Sequence, residues 1–545
     1  MLTREIVDFA ESTLALLLRQ SNRDAVPQYW LPTELWNAIW LHLTPDERLT
    51  VSHVSHDWRA IALACPNLWS AISFVSSAHS DECACNACLR ADNLHLPCVD
   101  CGRPWLHGRG YEDIEQVSTY LERSGGQPLH MDLTVLTRAA ARTREALAAA
   151  LTAHLPRVTT LRVAADDADD MDLLLDLLSV LPAVTSLTLE MTGENSGRLL
   201  TKNLQMPSLQ VLDIRGDLTP DRECKFHCPA VSTVKSMFLD AQNVLAILRG
   251  CPAVEVLELE VGSRPVETIT DEICEDIHDR FASGQLKRLR ISKAYVVDMA
   301  AIMQIFICPS TPPSFTLHSH RTEIIEIGNL TTFFSNMEDA TSLECIKHGH
   351  LTDESDQWWS LALHSISNEE PRRREITITL GAVQHEAIVS FFRNVWGCLP
   401  ARATQKITEI RADNVFWTSL FDRLEPSEEQ AIPPPPAPIW TKAIVVFEDA
   451  AEITEWLELR RSRAEDRRRL QLSQLEHLYI RIDAKQPVQL GERTVRDVVA
   501  EFSPPAFLHS LRLEGATMAV ADVEGLSDLA ASVEMPTAVD LIPFS

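Results

Sequence analysis

The sequence predicts an α/β solenoid: a long array of alternating strands and helices led by a small helical module. Three observations carry this. A proline-led motif recurs at Pro156, Pro182, Pro207, Pro229 and Pro252, at intervals of 26, 25, 22 and 23 residues. After most of these prolines comes a stretch in which apolar and polar residues alternate, as a half-buried strand requires. Ahead of the array, residues 30–74 show the apolar spacing of helices instead. At 545 residues the chain is too long for one ordinary core, which suits a small domain plus an extended one.

Residues 1–28 read as a short amphipathic helix. Glu5, Asp8 and Glu11 precede its apolar stretch, which is the wrong charge for a secretory signal. The helical module spans residues 29–75. Pro32 sits where a helix can begin, because its missing N–H would have had no partner there. Leu35, Ile39 and Leu43 then share one helical face. Thr44-Pro45-Asp46-Glu47 announces the next helix, with Thr44 as cap, Pro45 in the first position and Glu47 completing a capping box. Val51, Val54, Trp58 and Ile61 continue at helical spacing, and a short strand follows near Leu68 to Phe74. With Trp36 and Trp40 flanking the first stripe, the module carries more apolar surface than so short a segment covers by itself. The excess packs either on the rest of this chain or on another protein, and spacing leaves both readings open.

Leu31-Pro32, Glu34-Leu35, Ile39, Leu43, Val51-Ser52, Val54-Ser55, Trp58-Arg59, Pro66 and Leu68-Trp69 together resemble an F-box. This is the module through which many proteins dock on the Skp-type adaptor subunit of a cullin-RING ubiquitin ligase. Ser55 stands where many members carry Cys. The resemblance implies that Leu31, Pro32, Leu35, Ile39, Leu43, Val54 and Trp58 lie in or under an adaptor interface.

Residues 76–110 change character. Cys85-x-x-Cys88 and Cys98-x-x-Cys101, separated by nine residues, have the spacing of two metal knuckles. Four such thiolates hold a tetrahedral structural zinc and leave no open position for catalytic water. Cys83, His79, His95 and His107 are further donors. A reduced loop that binds nothing and a redox pair are the alternatives. The thirteen cysteines are odd in number, and many stand singly with no export signal ahead of them. They fit reduced thiols in cytosol or nucleus.

From residue 111 to residue 545 the reading is a leucine-rich-repeat-like array. LPRVTTLRVAAD, LPAVTSLTLEMT, MPSLQVLDIRGD, CPAVEVLELEVG and the weaker CPAVSTVKSMFLD share a period of that class, one strand and one helical segment per unit. Leu187/Leu189, Leu212/Ile214 and Leu257/Leu259 mark the buried faces of their strands. PLHMDLTV, after the helical VSTYLERSGG, reads as the first rung. Further strands are expected in GQLKRLRIS, REITITLG, QKITEIRAD, TKAIVVFED, LEHLYIRID and FLHSLRLEG, at spacings that imply insertions beyond residue 300. Stacked units bury one another's faces and form a curved solenoid. Module and array together resemble F-box/leucine-rich-repeat proteins, only loosely beyond residue 300.

Asp166, Asp167, Asp169, Asp170 and Asp172 lack the glycine of a calcium loop and read as charges favouring a helix N-terminus. IPPPPAP lies in a stiff proline-rich loop, residues 424–440. LRRSRAEDRRRLQ, with Glu465 and Asp466 interspersed, reads as a solvated helix face. His348-Gly-His350 is an isolated pair.

Lys+Arg 49 against Asp+Glu 77 gives a net charge of −28, which disfavours binding to nucleic acid and to anionic membranes. No apolar run approaches the roughly 18–20 residues of a membrane span. No phosphate-cradling loop, nucleophile elbow or zinc-protease motif occurs, so a non-enzyme is expected. The expected function is a substrate-recognition adaptor of an SCF-type ubiquitin ligase, docked to a Skp-type subunit and cullin, in cytoplasm or nucleus. The expected target surface is the inner strand face: Glu190, Glu258 and Glu260, then Arg288 and Arg290, then Tyr479, Arg481 and Arg512, passing from acidic to basic. A non-catalytic scaffold of the same fold and a zinc-dependent binding module are the rivals.

Overall fold

The structure is a computed structural model. It describes residues 31–75, 114–135, 141–165, 181–191, 206–216, 227–238, 241–261, 271–294, 296–307, 312–319, 327–335, 337–348, 357–366, 371–380, 398–424, 439–463, 474–484, 486–502 and 507–535, with a few isolated positions between them. Two compact units divide the chain, Met1–Val231 and Ser232–Ser545, and the boundary falls inside the expected array.

The first unit opens with α1 (Thr33–Leu41), α2 (Pro45–Val54) and α3 (His56–Leu63). The capping box at Thr44 forms in full: Thr44 Oγ1 accepts from the Glu47 backbone and Glu47 Oε2 accepts from the Thr44 backbone. Spacing alone runs Val51 through Ile61 in one helix, but the chain breaks at Ser55. Its extended backbone ends α2, and its hydroxyl accepts the Trp58 N–H to start α3. Arg48 ties the turn together by donating to the carbonyls of Leu41, Leu43 and Leu68.

A one-turn helix, Pro66–Trp69, leads into β1 (Ala71–Val75). After α4 (Ile114–Arg123) come β2 (Leu129–Val135), α5 (Ala141–Thr152), β3 (Val158–Ala165), β4 (Ser186–Met191) and β5 (Val211–Arg215). All pair in parallel and in register. The last strand of the helical module is therefore the first rung, one earlier than PLHMDLTV. Two core rows result: Ile72, Met131, Leu161, Leu187, Leu212 and Phe74, Leu133, Val163, Leu189, Ile214, each residue 2% exposed or less. A period of 22–26 residues makes this possible, because it returns every strand to its neighbour with the same face inward.

The second unit continues with β6 (Thr233–Phe238), α6 (Ala241–Gly250), β7 (Val256–Val261), α7 (Asp271–Ala282), β8 (Arg288–Ala294), α8 (Val296–Phe306), β9 (Ser314–Ser319) and α9 (Ile327–Phe334). Asp271 and Glu272 in the first turn of α7 and Arg280 in its last turn complement the helix dipole. Then the order changes. β10 (Ser342–His348) does not pair with β9. Instead β11 (Gln357–Ile366) runs antiparallel to β10, and β12 (Pro371–Leu380) runs antiparallel to β11 and pairs in parallel with β9. The spatial order is β9–β12–β11–β10. Regular alternation resumes through β13 (Glu409–Asp413), α10 (Asn414–Leu424), β14 (Lys442–Phe447), α11 (Ala450–Arg463), β15 (His477–Ile482), α12 (Glu492–Glu501), β16 (Leu508–Glu514) and β17 (Ala530–Glu534), with β13 parallel to β10.

Each expected late strand is present, while β9, β10, β11 and β17 are additions to the reading of the sequence. The antiparallel strand has a chain-length cause: residues 367–370 are too few for the dozen-residue crossover a parallel pair needs. Its insertion puts Arg374 at a core position, 2% exposed between Phe315 and Leu363 in the register. The guanidinium lies over the Phe315 ring and donates to the Pro312 carbonyl at 2.6 Å.

The basic run from Leu459 is not the solvated face its composition suggests, at least where it is described. Arg460 is 6% exposed and bonded to Glu501 at 3.0 Å, and Arg461 meets Asp497. Thr13, Leu14, Leu17 and Ser21 are helical. The rest of the leading helix, the cysteine insert, the aspartate run, the proline-rich loop and His350 lie outside the described residues.

Candidate functional site

The helical module sorts its apolar residues into two sets. Trp36 and Trp40 are buried, and half-buried Trp58 lies against both, with ring centroids at 4.9 Å and 5.5 Å. Trp69 is buried too, donating its indole N–H to the Ala62 carbonyl and stacking on Tyr120. The module thus fills its own core with aromatics. Leu35 (50%), Ile39 (48%) and Val54 (60%) remain exposed. So do Leu31 and Pro32, while Leu43 is half-buried. Of the ten exposed large apolar side chains among the described residues, six lie between Leu31 and Leu63, far more than scattered surface leucines would give.

The expected target residues all sit on the strand face opposite the core rows. Glu190 belongs to the first unit and takes two N–H bonds from Arg162. In the second unit Glu258 meets Lys235, and Glu260 meets Lys293 at 2.6 Å. The expected acidic stretch is therefore balanced, because cross-strand neighbours of opposite charge stand beside each glutamate. Arg290 is the register partner of Glu258, and both Arg288 and Arg290 are exposed. Tyr479 lies between Lys442, 5.0 Å from its ring centre, and its register partner Arg512. Arg481 bonds Asp483, and Arg512 bonds Glu514.

A cavity of about 490 Å³ opens on this face where the antiparallel strand enters, walled by β10, β11, β12 and β13. Glu344 stands in its middle, with a side chain 17% exposed. Arg411 bonds one carboxylate oxygen at 3.0 Å; His364 Nε2 lies 3.3 Å and Arg373 3.9 Å from the other. Burial pushes the Glu344 carboxyl up, but the His364 bond and the charges of Arg411 and Arg373 outweigh it and hold the group below the usual range. Arg372 and Glu409 complete the charged lining, with Glu409 bonded to Lys442 at 2.9 Å. None of these lining residues stands out in the sequence, because only the pairing of β10 with β11 converges them. The short link before Pro371 was the available signal.

Cys85, Cys88, Cys98 and Cys101 lie outside the described residues. Among the described residues no group of three or more His, Cys, Asp or Glu side chains is arranged to hold a metal, and no helix is long and apolar enough to cross a membrane. No family model matches this sequence, and no curated protein matches it either.

Proposed function

We propose that the chain is a substrate-recognition adaptor of an SCF-type ubiquitin ligase. Its helical module docks a Skp-type subunit, which links it to cullin, and its strand face holds a target protein. Catalysis takes place on the other subunits, and this chain contributes proximity and orientation. One observation carries the reading. Leu31, Leu35, Ile39 and Val54 point outward while Trp36, Trp40 and Trp58 pack together. A module that needed the leucine stripe for its own fold would have turned it inward. The insert's four cysteines are read as a structural zinc site, and fewer than about 0.5 zinc per purified chain removes that part.

The deciding experiment is purification of the tagged chain from cells. Recovery with both a Skp-type subunit and cullin supports the reading. Recovery with the subunit alone favours a non-catalytic scaffold, and recovery of neither removes both.

A further inference from the structure

The cavity at the antiparallel insertion has an electrostatic surplus. Its lining carries three guanidiniums, Arg372, Arg373 and Arg411, against the carboxylates of Glu344 and Glu409. Glu409 is already bonded to Lys442, and Glu375 lies 3.1 Å from Arg373. Four fixed cations therefore stand against three carboxylates, and His364 adds a further proton site. This happens in a chain whose net charge is −28, so a cationic recess is not a by-product of composition. Arg372 is exposed and has no acidic partner among the described residues, and Arg373 Nε is buried with no acceptor. The guanidiniums point unfilled N–H groups at a space of about 490 Å³, within the range of small-ligand sites.

We propose that this cavity is a binding site for an oxyanion, a carboxylate or a phosphate, and that Glu344 is the internal group the ligand competes with. Guanidiniums bind such groups through paired N–H donors, and both geometries are open here. Glu344 holds Arg411 in the ligand-free state, as a tethered carboxylate in place of the ligand's own. An incoming anion takes over the free N–H groups of Arg411, Arg373 and Arg372, and its affinity is set partly by the repulsion of Glu344. The site belongs entirely to the second unit and does not depend on the adaptor reading, since no contact of the helical module enters it.

The test is a thermal-shift titration of the full chain with inorganic phosphate and, separately, with malonate, each at ionic strength matched with sodium chloride. A ligand that binds only the folded state raises the midpoint in proportion to its occupancy. Stabilisation by phosphate alone assigns a phosphate site, stabilisation by malonate alone assigns a carboxylate site, and stabilisation by both assigns an unselective one. Arg372→Gln and Arg411→Gln each weaken binding about tenfold, and Glu344→Gln tightens it about tenfold, the worth of one charge-assisted contact. That gain on removing a carboxylate is what a purely structural Glu344 would not produce. If Arg411→Gln does not fold, Arg372→Gln decides alone, because its side chain has no bonded neighbour to lose. No stabilisation by either anion, or stabilisation unchanged in the arginine variants, overturns the proposal.

Discussion

The Trp58 ring packs on Trp36 with centroids 4.9 Å apart, and this contact decides which side of α1 faces out. Both rings sit on the side of α1 that meets α3, so Leu35 and Ile39 are left on the other. Replacing Leu35 and Ile39 together by Glu removes an exposed stripe without opening a core. Unfolding in urea is expected to change by no more than about 0.5 kcal/mol per site. Affinity for a Skp-type subunit, measured by calorimetry, is expected to fall at least about 100-fold. Trp40→Ala should do the reverse, costing about 3–5 kcal/mol of stability. Equal subunit binding by the Glu double variant and the parent would exclude this face as the interface.

Asp413 ends β13 with its carboxylate 2% exposed and accepting the Val415 N–H of α10. Burial, with Glu452 and Glu448 nearby, raises its pKa to about 8, against the opposing pull of the Val415 bond and Lys347. A raised acid favours the folded state in its protonated form. Its contribution is fully present below the unfolded value of about 4 and is lost as pH rises through about 8. Asp413→Asn keeps the acceptor and removes the charge. Its stability advantage over the parent should grow by a few kcal/mol between about pH 4 and 8, read from urea unfolding at both ends. A constant difference would mean that Asp413 titrates normally.

Arg460 and Glu501 join α11 to α12 as a pair with side chains 6% and 14% exposed. Arg460→Ala leaves a carboxylate in a closed site and should cost about 3 kcal/mol. The double variant Arg460→Met/Glu501→Leu should recover most of that in chemical unfolding. A double variant as unstable as the single one would show that the arginine serves some other contact.

Gly515, at φ +71°, follows β16 with its missing Cβ directed at the Ile482 carbonyl that ends β15. Gly216 repeats the arrangement after β5, against the Met191 carbonyl. Gly284 also has a positive φ, +70°, but faces open space. Gly284→Ala should therefore cost about 1 kcal/mol of backbone strain, and Gly515→Ala at least about 2 kcal/mol more. Similar midpoints for the two variants would remove the carbonyl contact from the account.

The early rungs were legible because their evidence is local and periodic. Pro156, Pro182, Pro207, Pro229 and Pro252 mark equal steps, and alternation within each step names the buried residues. Leu187, Leu212 and Leu257 all lie where that pattern puts them, at 1% exposure or less. The capping box at Thr44 was equally readable, since its partners are three residues apart. The break at Ser55 was not, because an apolar spacing of three or four continues across it. Nor was the charge state of the strand face: Glu258 and Glu260 look free in sequence, yet their cations, Lys235 and Lys293, come from the strands on either side.

By itself, then, the sequence determined the repeat unit, the inward rows and the surplus of apolar residues at the start. Each depends on groups within about thirty residues of one another. Tertiary structure alone decided that the tryptophans take the inside of the module, that β11 turns back between β10 and β12, and that Glu344, His364, Arg373 and Arg411 meet. The physical reason is that pairing partners in a sheet are chosen by which edges are open and how far the chain can reach. Ser342 and Glu409 are 67 residues apart in the chain, yet they stand side by side in adjacent strands.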